Sequence, residues 1–197
     1  VIGNSPFQLV MPPVLLVHGI NSSHETWGID NEWTQGAYGR FRQRIYKADY
    51  QVHHRKGQDV AFQNVHGQME HILSQYRLGS DDQGPLWHDG FDQSQSLSGK
   101  RIAATRIDVV GHSMGGTLTR LLISDVAVTV PRERFLSGQW VPNPYYDPIF
   151  VNRTIVPHYV RSGNYGAGSI RRFISIGTPF NGSTMASASD SKDTLVN

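Results

Sequence analysis

The chain has 197 residues, 38% apolar, 10% aromatic and 17% charged, which is enough to bury a core at about 150 residues per domain. With 18 basic against 16 acidic side chains the net charge is +2, too small a field to draw nucleic acid, and the abundance of aromatic and branched residues argues against disorder. Cysteine is absent, which excludes disulfides, thiolate metal sites and a cysteine nucleophile without deciding the compartment.

No apolar stretch approaches the roughly 18 residues of a membrane span. Residues 1–13 lack the basic head and long apolar stretch of a leader, and the expectation is a processed chain or an excised segment. Pro12-Pro13 halts regular structure before it. Val14-Leu15-Leu16-Val17 then forms an unbroken apolar run ending at His18-Gly19. Continuous apolarity predicts a strand covered on both faces, as in parallel sheets. Residues 20–36 read as a loop, and a second strand is expected over 50–54. Phe62, Val65, Met69, Ile72 and Tyr76 recur at spacings of 3 and 4, which predicts a helix over 62–76 with one apolar stripe.

Residues 79–99, rich in Gly, Ser, Asp and Gln, read as a loop. A strand is expected over 107–110, ended by Gly111, and a helix from Met114 to about Ser124 on a stripe of Leu118, Leu121 and Leu122. Residues 131–168 combine prolines with Trp140, Tyr145, Tyr146 and Phe150, and read as an insertion capping a site, a cap or lid outside the sheet. The last expected strand is 172–176, followed by Gly177-Thr178-Pro179. The rhythm predicts one α/β domain over 1–197, a mainly parallel sheet flanked by helices, with 131–168 inserted in it.

Three unusual segments fall at strand ends, where such sheets bind ligands: His18-Gly19, residues 111–116 and residues 177–183. Gly111-His112-Ser113-Met114-Gly115 fits G-x-S-x-G between a predicted strand and a predicted helix. A serine on so sharp a turn projects its hydroxyl above the sheet, and the flanking glycines leave no Cβ to collide with neighbouring elements. The helix start then offers free N–H groups to a developing oxyanion. Met114 would give one donor by position, and Ile20 or Asn21, after His18-Gly19, the second.

Together, Pro13 to Gly19, Trp27, Gly111 to Gly116 and Gly177-Thr178-Pro179-Phe180-Asn181-Gly182-Ser183 resemble an α/β-hydrolase of the lipase/esterase kind, over roughly residues 12–185. The third segment is similar to the T-P-x-x-G-S loop of bacterial triacylglycerol lipases. The resemblance implies ester hydrolysis through an acyl-enzyme, with Ser113 as nucleophile and the N–H groups of Ile20 and Met114 as oxyanion hole. Gly111, His112, Gly115 and Gly116 support the turn, and His18, Gly19, Thr178 and Pro179 stand as rim candidates. It implies no metal or organic cofactor, an ester or lipid substrate with contact at a lipid interface but no membrane span, and favours an exported bacterial setting.

The sequence departs from that family in one respect. The family order is Ser, then Asp or Glu, then His, yet no histidine follows Ile176, and after Ser113 the only one is His158, inside the insertion. A serine without a base is a poor nucleophile. Three accounts follow: the acid and base lie on a C-terminal segment absent from this chain, which is the preferred expectation; His158 serves with Asp147 or Asp125; or the fold is a non-catalytic binding module. Amide or thioester hydrolysis is the rival within enzymes. His112 is read as a packing and hydrogen-bonding residue. His66 and Glu70 share a helix face but lack a third ligand, and Arg40, Arg42, Arg44 and Lys47 are read as solvated surface.

Overall fold

The computed structural model describes residues 12–27, 45–53, 58–79, 87–88, 102, 105–124, 133–136, 139–142 and 167–181. The main sheet holds β1 (Val14–Val17), β2 (Ile45–Lys47), β3 (Trp87–His88), β4 (Ile107–His112) and β7 (Ile170–Ile176), in the order β3-β2-β1-β4-β7. β2, β1, β4 and β7 run parallel, and β3 is an antiparallel edge. Helix α1 (Gln58–Leu78) lies between β2 and β3 in the chain, and α2 (Met114–Ile123) follows β4 after the single residue Ser113. The chain is therefore of the α/β class, as the rhythm of apolar runs predicts. A separate two-stranded antiparallel sheet, β5 (Glu133–Leu136) with β6 (Gln139–Pro142), lies in the segment read as an insertion.

The unbroken apolarity of β1 has the predicted cause. Its side chains alternate between two layers, and Leu15, Leu16 and Val17 are all buried. Leu15 and Val17 join Tyr46, Ile107 and Val109 in one core with Phe62, Val65, Met69, Ile72 and Tyr76 of α1 and Leu118 and Leu122 of α2. The stripe read from spacing is thus the face that α1 buries. Burial of each such side chain stabilises the fold by roughly 1.5–3 kcal/mol. Leu16, Ile45 and Val110 form a second cluster on the other face, with Val14 and Trp27 against it. Helix α1 stops at Gly79, whose N–H still donates to the Gln75 carbonyl at 2.9 Å and whose left-handed φ of 66° then turns the chain out of the helix.

Several boundaries differ from expectation. The second strand lies at Ile45–Lys47 rather than 50–54. Residues 51–53 form a turn closed by the His53 N–H on the Tyr50 carbonyl at 2.8 Å, and Val52 is exposed. The strand was hidden because Lys47, grouped with solvated arginines, is in fact buried at 3% exposure; Arg40, Arg42 and Arg44 lie outside the described residues. Two residues of the predicted 79–99 loop form β3, which pairs with Tyr46 and Lys47. β4 runs on through His112, and β7 begins at Ile170. A register shift sets Ile107 opposite Ile170 but Asp108 opposite Arg172, and the extra residue, Arg171, donates from Nε to Asp108 Oδ1 at 2.8 Å. No helix among the described residues is long and apolar enough to cross a membrane.

Gly67 lies on the exposed side of α1, with no atom within 4 Å of an added Cβ. Gly67→Ala is therefore expected to stabilise the protein by about 0.5–1 kcal/mol, read as a higher chemical-denaturation midpoint. An unchanged or lower midpoint would show that this face of α1 is engaged.

Candidate active site

The sheet order brings the candidate residues to one end of the sheet. From β1 the chain moves outward to β2, then returns to lay β4 on β1's other side, so the connections leave β1 and β4 in opposite directions. A parallel sheet has its ligand crevice beyond the carboxyl ends of two such strands. His18-Gly19 leave β1 there, and Ser113 leaves β4 there.

Ser113 has φ 51° and ψ −120°. An L-residue adopts this backbone at a cost of about 1–3 kcal/mol and only when its surroundings enforce it. Three contacts do so. The Ser113 N–H donates to the Ile176 carbonyl at 2.9 Å, its own carbonyl accepts from the Gly116 N–H at 3.0 Å, and Ser113 Cβ lies 3.0 Å from where a Cβ on Gly19 would stand. Ser113 is the N-cap of α2, yet its side chain makes no capping hydrogen bond. The hydroxyl is left available, half-buried beside the turn that follows β1.

The glycines around it are explained by close approach. A Cβ on Gly115 would stand 2.2 Å from the Val17 carbonyl oxygen and 2.6 Å from that of His18. One on Gly111 would meet Gly116 Cα at 2.7 Å, and one on Gly116 would meet Thr178 Oγ1 at 1.9 Å. The three segments singled out in the sequence therefore meet: α2 begins against the end of β1 and against the loop after β7. That loop is held by Phe180, which packs edge-on to Phe173 at 6.4 Å and lies under the Arg120 guanidinium at 5.3 Å.

The other expected site residues fall as follows. Met114 is buried at the start of α2, and Ile20 is 47% exposed beyond Gly19. Thr178 and Pro179 are half-buried. His18, a rim candidate, is fully buried under the turn. There its ring stacks on Tyr50 at 4.0 Å with an 8° interplanar angle, and Nδ1 donates to the Gly19 carbonyl at 2.8 Å. His112, read as packed and hydrogen-bonded, is exposed; its contact is edge-on to Trp27 at 6.5 Å, with no hydrogen bond among the described residues. His158, Asp125 and Asp147 lie outside the described residues. Among the described residues no three His, Asp or Glu side chains could hold a metal ion, and His66 stacks on Phe62.

Sequence reasoning missed Tyr50. Fully buried, it donates its hydroxyl to the His18 carbonyl, 32 residues away in the chain. No local pattern announces such a contact. Asn21, with φ 57°, carried a weak signal, since asparagine tolerates left-handed backbone.

No family model matches the chain, and no curated protein matches it.

Two outcomes follow. Gly115→Ala drives a methyl into two backbone carbonyls of β1 and is expected to destabilise the protein by about 1–3 kcal/mol or more in denaturant melts; a neutral result would contradict the close approach. Burial raises the pKa of the Tyr50 hydroxyl well above its ordinary value of about 10. The folded chain then holds this proton more tightly than the unfolded one, so Tyr50 costs no stability below that value and lowers stability as pH rises beyond it. The stability advantage of wild type over Tyr50→Phe is expected to narrow above about pH 10, measured by denaturation across pH; a gap that widens there would contradict it.

Proposed function

We propose that this chain is a serine hydrolase of the α/β-hydrolase fold that cleaves carboxylic esters, as lipases and esterases do. The observation that carries the reading is Ser113: an uncapped serine with φ 51° and ψ −120°, between a parallel strand and a helix start, at the switch point of the sheet. A strained backbone at a cleft is retained where the strain has a use, and lifting a hydroxyl clear of its own helix is such a use.

In this reading Ser113 Oγ attacks the ester carbonyl carbon as its proton passes to a base. The carbonyl oxygen becomes an anion held by the N–H groups of Ile20 and Met114, and Met114 is among the helix-start amides that lack an intrahelical partner. Collapse expels the alcohol, protonated by the same base, and leaves an acyl group on Ser113. Water, deprotonated by that base, then releases the acid. Ile20, 47% exposed just beyond the carboxyl end of β1, offers apolar surface that suits the acyl part of an ester. The β5–β6 segment, with Trp140 67% exposed, is read as part of a cap. No metal or organic cofactor enters these steps.

Ser113 Oγ has no hydrogen-bonded histidine among the described residues. The base and the acid that orients it are therefore assigned outside them, on a segment completing the fold beside β7. Two features support that position: β7 pairs only with β4 among the described residues, and Ile174 and Ile176 on one of its faces are 56% and 43% exposed.

A fluorophosphonate probe applied to the full-length protein tests the reading. Wild type is expected to be labelled at Ser113, and Ser113→Ala to lose labelling and at least about a thousand-fold of ester turnover. Absence of labelling in the full-length wild type would favour a binding module instead. Ester, thioester and amide substrates of one acyl group separate the hydrolase classes.

A further inference from the structure

The turn that carries the proposed second oxyanion donor has a weakness. Gly19 has no Cβ, so the peptides on either side of it, 18–19 and 19–20, can rotate more cheaply than elsewhere. Such a rotation turns an N–H away from the site and presents a carbonyl oxygen in its place. In a trans peptide the two groups point in opposite directions, so fixing the carbonyl fixes the N–H.

Both carbonyls of this turn are fixed from beneath. The Tyr50 hydroxyl donates to the His18 carbonyl, and His18 Nδ1 donates to the Gly19 carbonyl at 2.8 Å. A carbonyl oxygen only accepts, so Nδ1 carries a proton. The two rings stack at 4.0 Å, each fully buried. Tyr50 is itself anchored, because Gln68 of α1 accepts from the Asp49 N–H at 2.9 Å and donates to the Asp49 carbonyl at 2.7 Å. The His18 carbonyl is also confined by the start of α2, where a Cβ on Gly115 would stand 2.6 Å from its oxygen.

We propose that Tyr50 and His18 are positioning residues that lock the turn after β1: His18 holds the Gly19 carbonyl and so the Ile20 N–H of the same peptide turned toward Ser113, while Tyr50 holds the preceding peptide and keeps the turn from rotating as a unit. Neither ring is exposed, so neither touches substrate. The pair acts on the fraction of molecules whose turn is competent, and a loss of that fraction lowers turnover in proportion. The inference rests on the hydrolase reading for its catalytic consequence, but the lock itself is a property of the backbone and has its own readout.

Tyr50→Phe keeps the ring and the stack and deletes the donor. Tyr46→Phe, a buried tyrosine in the same core and outside the turn, is the control. In the full-length protein Tyr50→Phe is expected to lower kcat on a short chromogenic ester about tenfold with KM unchanged, while Tyr46→Phe leaves both alone. The amide resonances of Gly19 and Ile20 are expected to be single and sharp in wild type and exchange-broadened or doubled in Tyr50→Phe. If those resonances stay single and kcat is unaltered, the lock is wrong while the hydrolase reading stands. If wild type neither turns over esters nor reacts with a fluorophosphonate, the hydrolase reading fails and the catalytic role fails with it, and the resonances alone then decide whether Tyr50 fixes the turn. Equal losses in Tyr46→Phe would make the effect one of general core damage and overturn the proposal.

Discussion

The start of α2 lies against the end of β1 so closely that a single added carbon would overlap the carbonyl oxygens of Val17 and His18. Most of the site follows from that contact. A helix that begins this near a neighbouring strand leaves little room for a gradual entry, so the chain turns within one residue, and that residue, Ser113, takes φ 51° and ψ −120°. The strain of about 1–3 kcal/mol is small beside the packing that enforces it. Leu118 and Leu122 bury the same helix in the main core, and the Ser113 N–H is tied to β7. The turn is therefore stabilised from both sides and does not depend on its own conformational preference.

The fold brings three loops together by topology. β1 and β4 are neighbours whose connections diverge, and β7 adds on β4's far side, so the residues following all three strands emerge at one end of the sheet. Gly19 touches the elbow from one side and Thr178 from the other. Beneath this layer, Tyr50, His18 and Gln68 extend the support through the core to α1. Each of the three donates a buried hydrogen bond to a backbone carbonyl, and such bonds at low dielectric favour one backbone arrangement over several.

Where local pattern decides structure, the sequence was readable. The continuous run at 14–17, the 3–4 spacing from Phe62 to Tyr76 and the glycines around Ser113 each state a local steric or burial requirement, and each corresponds to a described element. Where a side chain acts over distance, it was not. Lys47 reads as surface beside three arginines but is buried in β2, and Tyr50 reads as strand but closes a turn and reaches across to β1. His18 reads as rim because its neighbour Gly19 is at the site, yet the two residues point to opposite sides of the turn. The candidate nucleophile was legible because its geometry is written in adjacent residues; its supporting shell was not, because it is assembled from the segments that follow β1 and β2 and from α1.

The most direct test is a crystal structure of the full-length protein inactivated by a phosphonate ester. The account predicts a tetrahedral phosphorus bonded to Ser113 Oγ, with one phosphoryl oxygen at about 2.7–3.1 Å from the amide nitrogens of both Ile20 and Met114. An adduct whose oxygens face solvent, with neither amide in reach, or phosphonylation of a different residue, would contradict it.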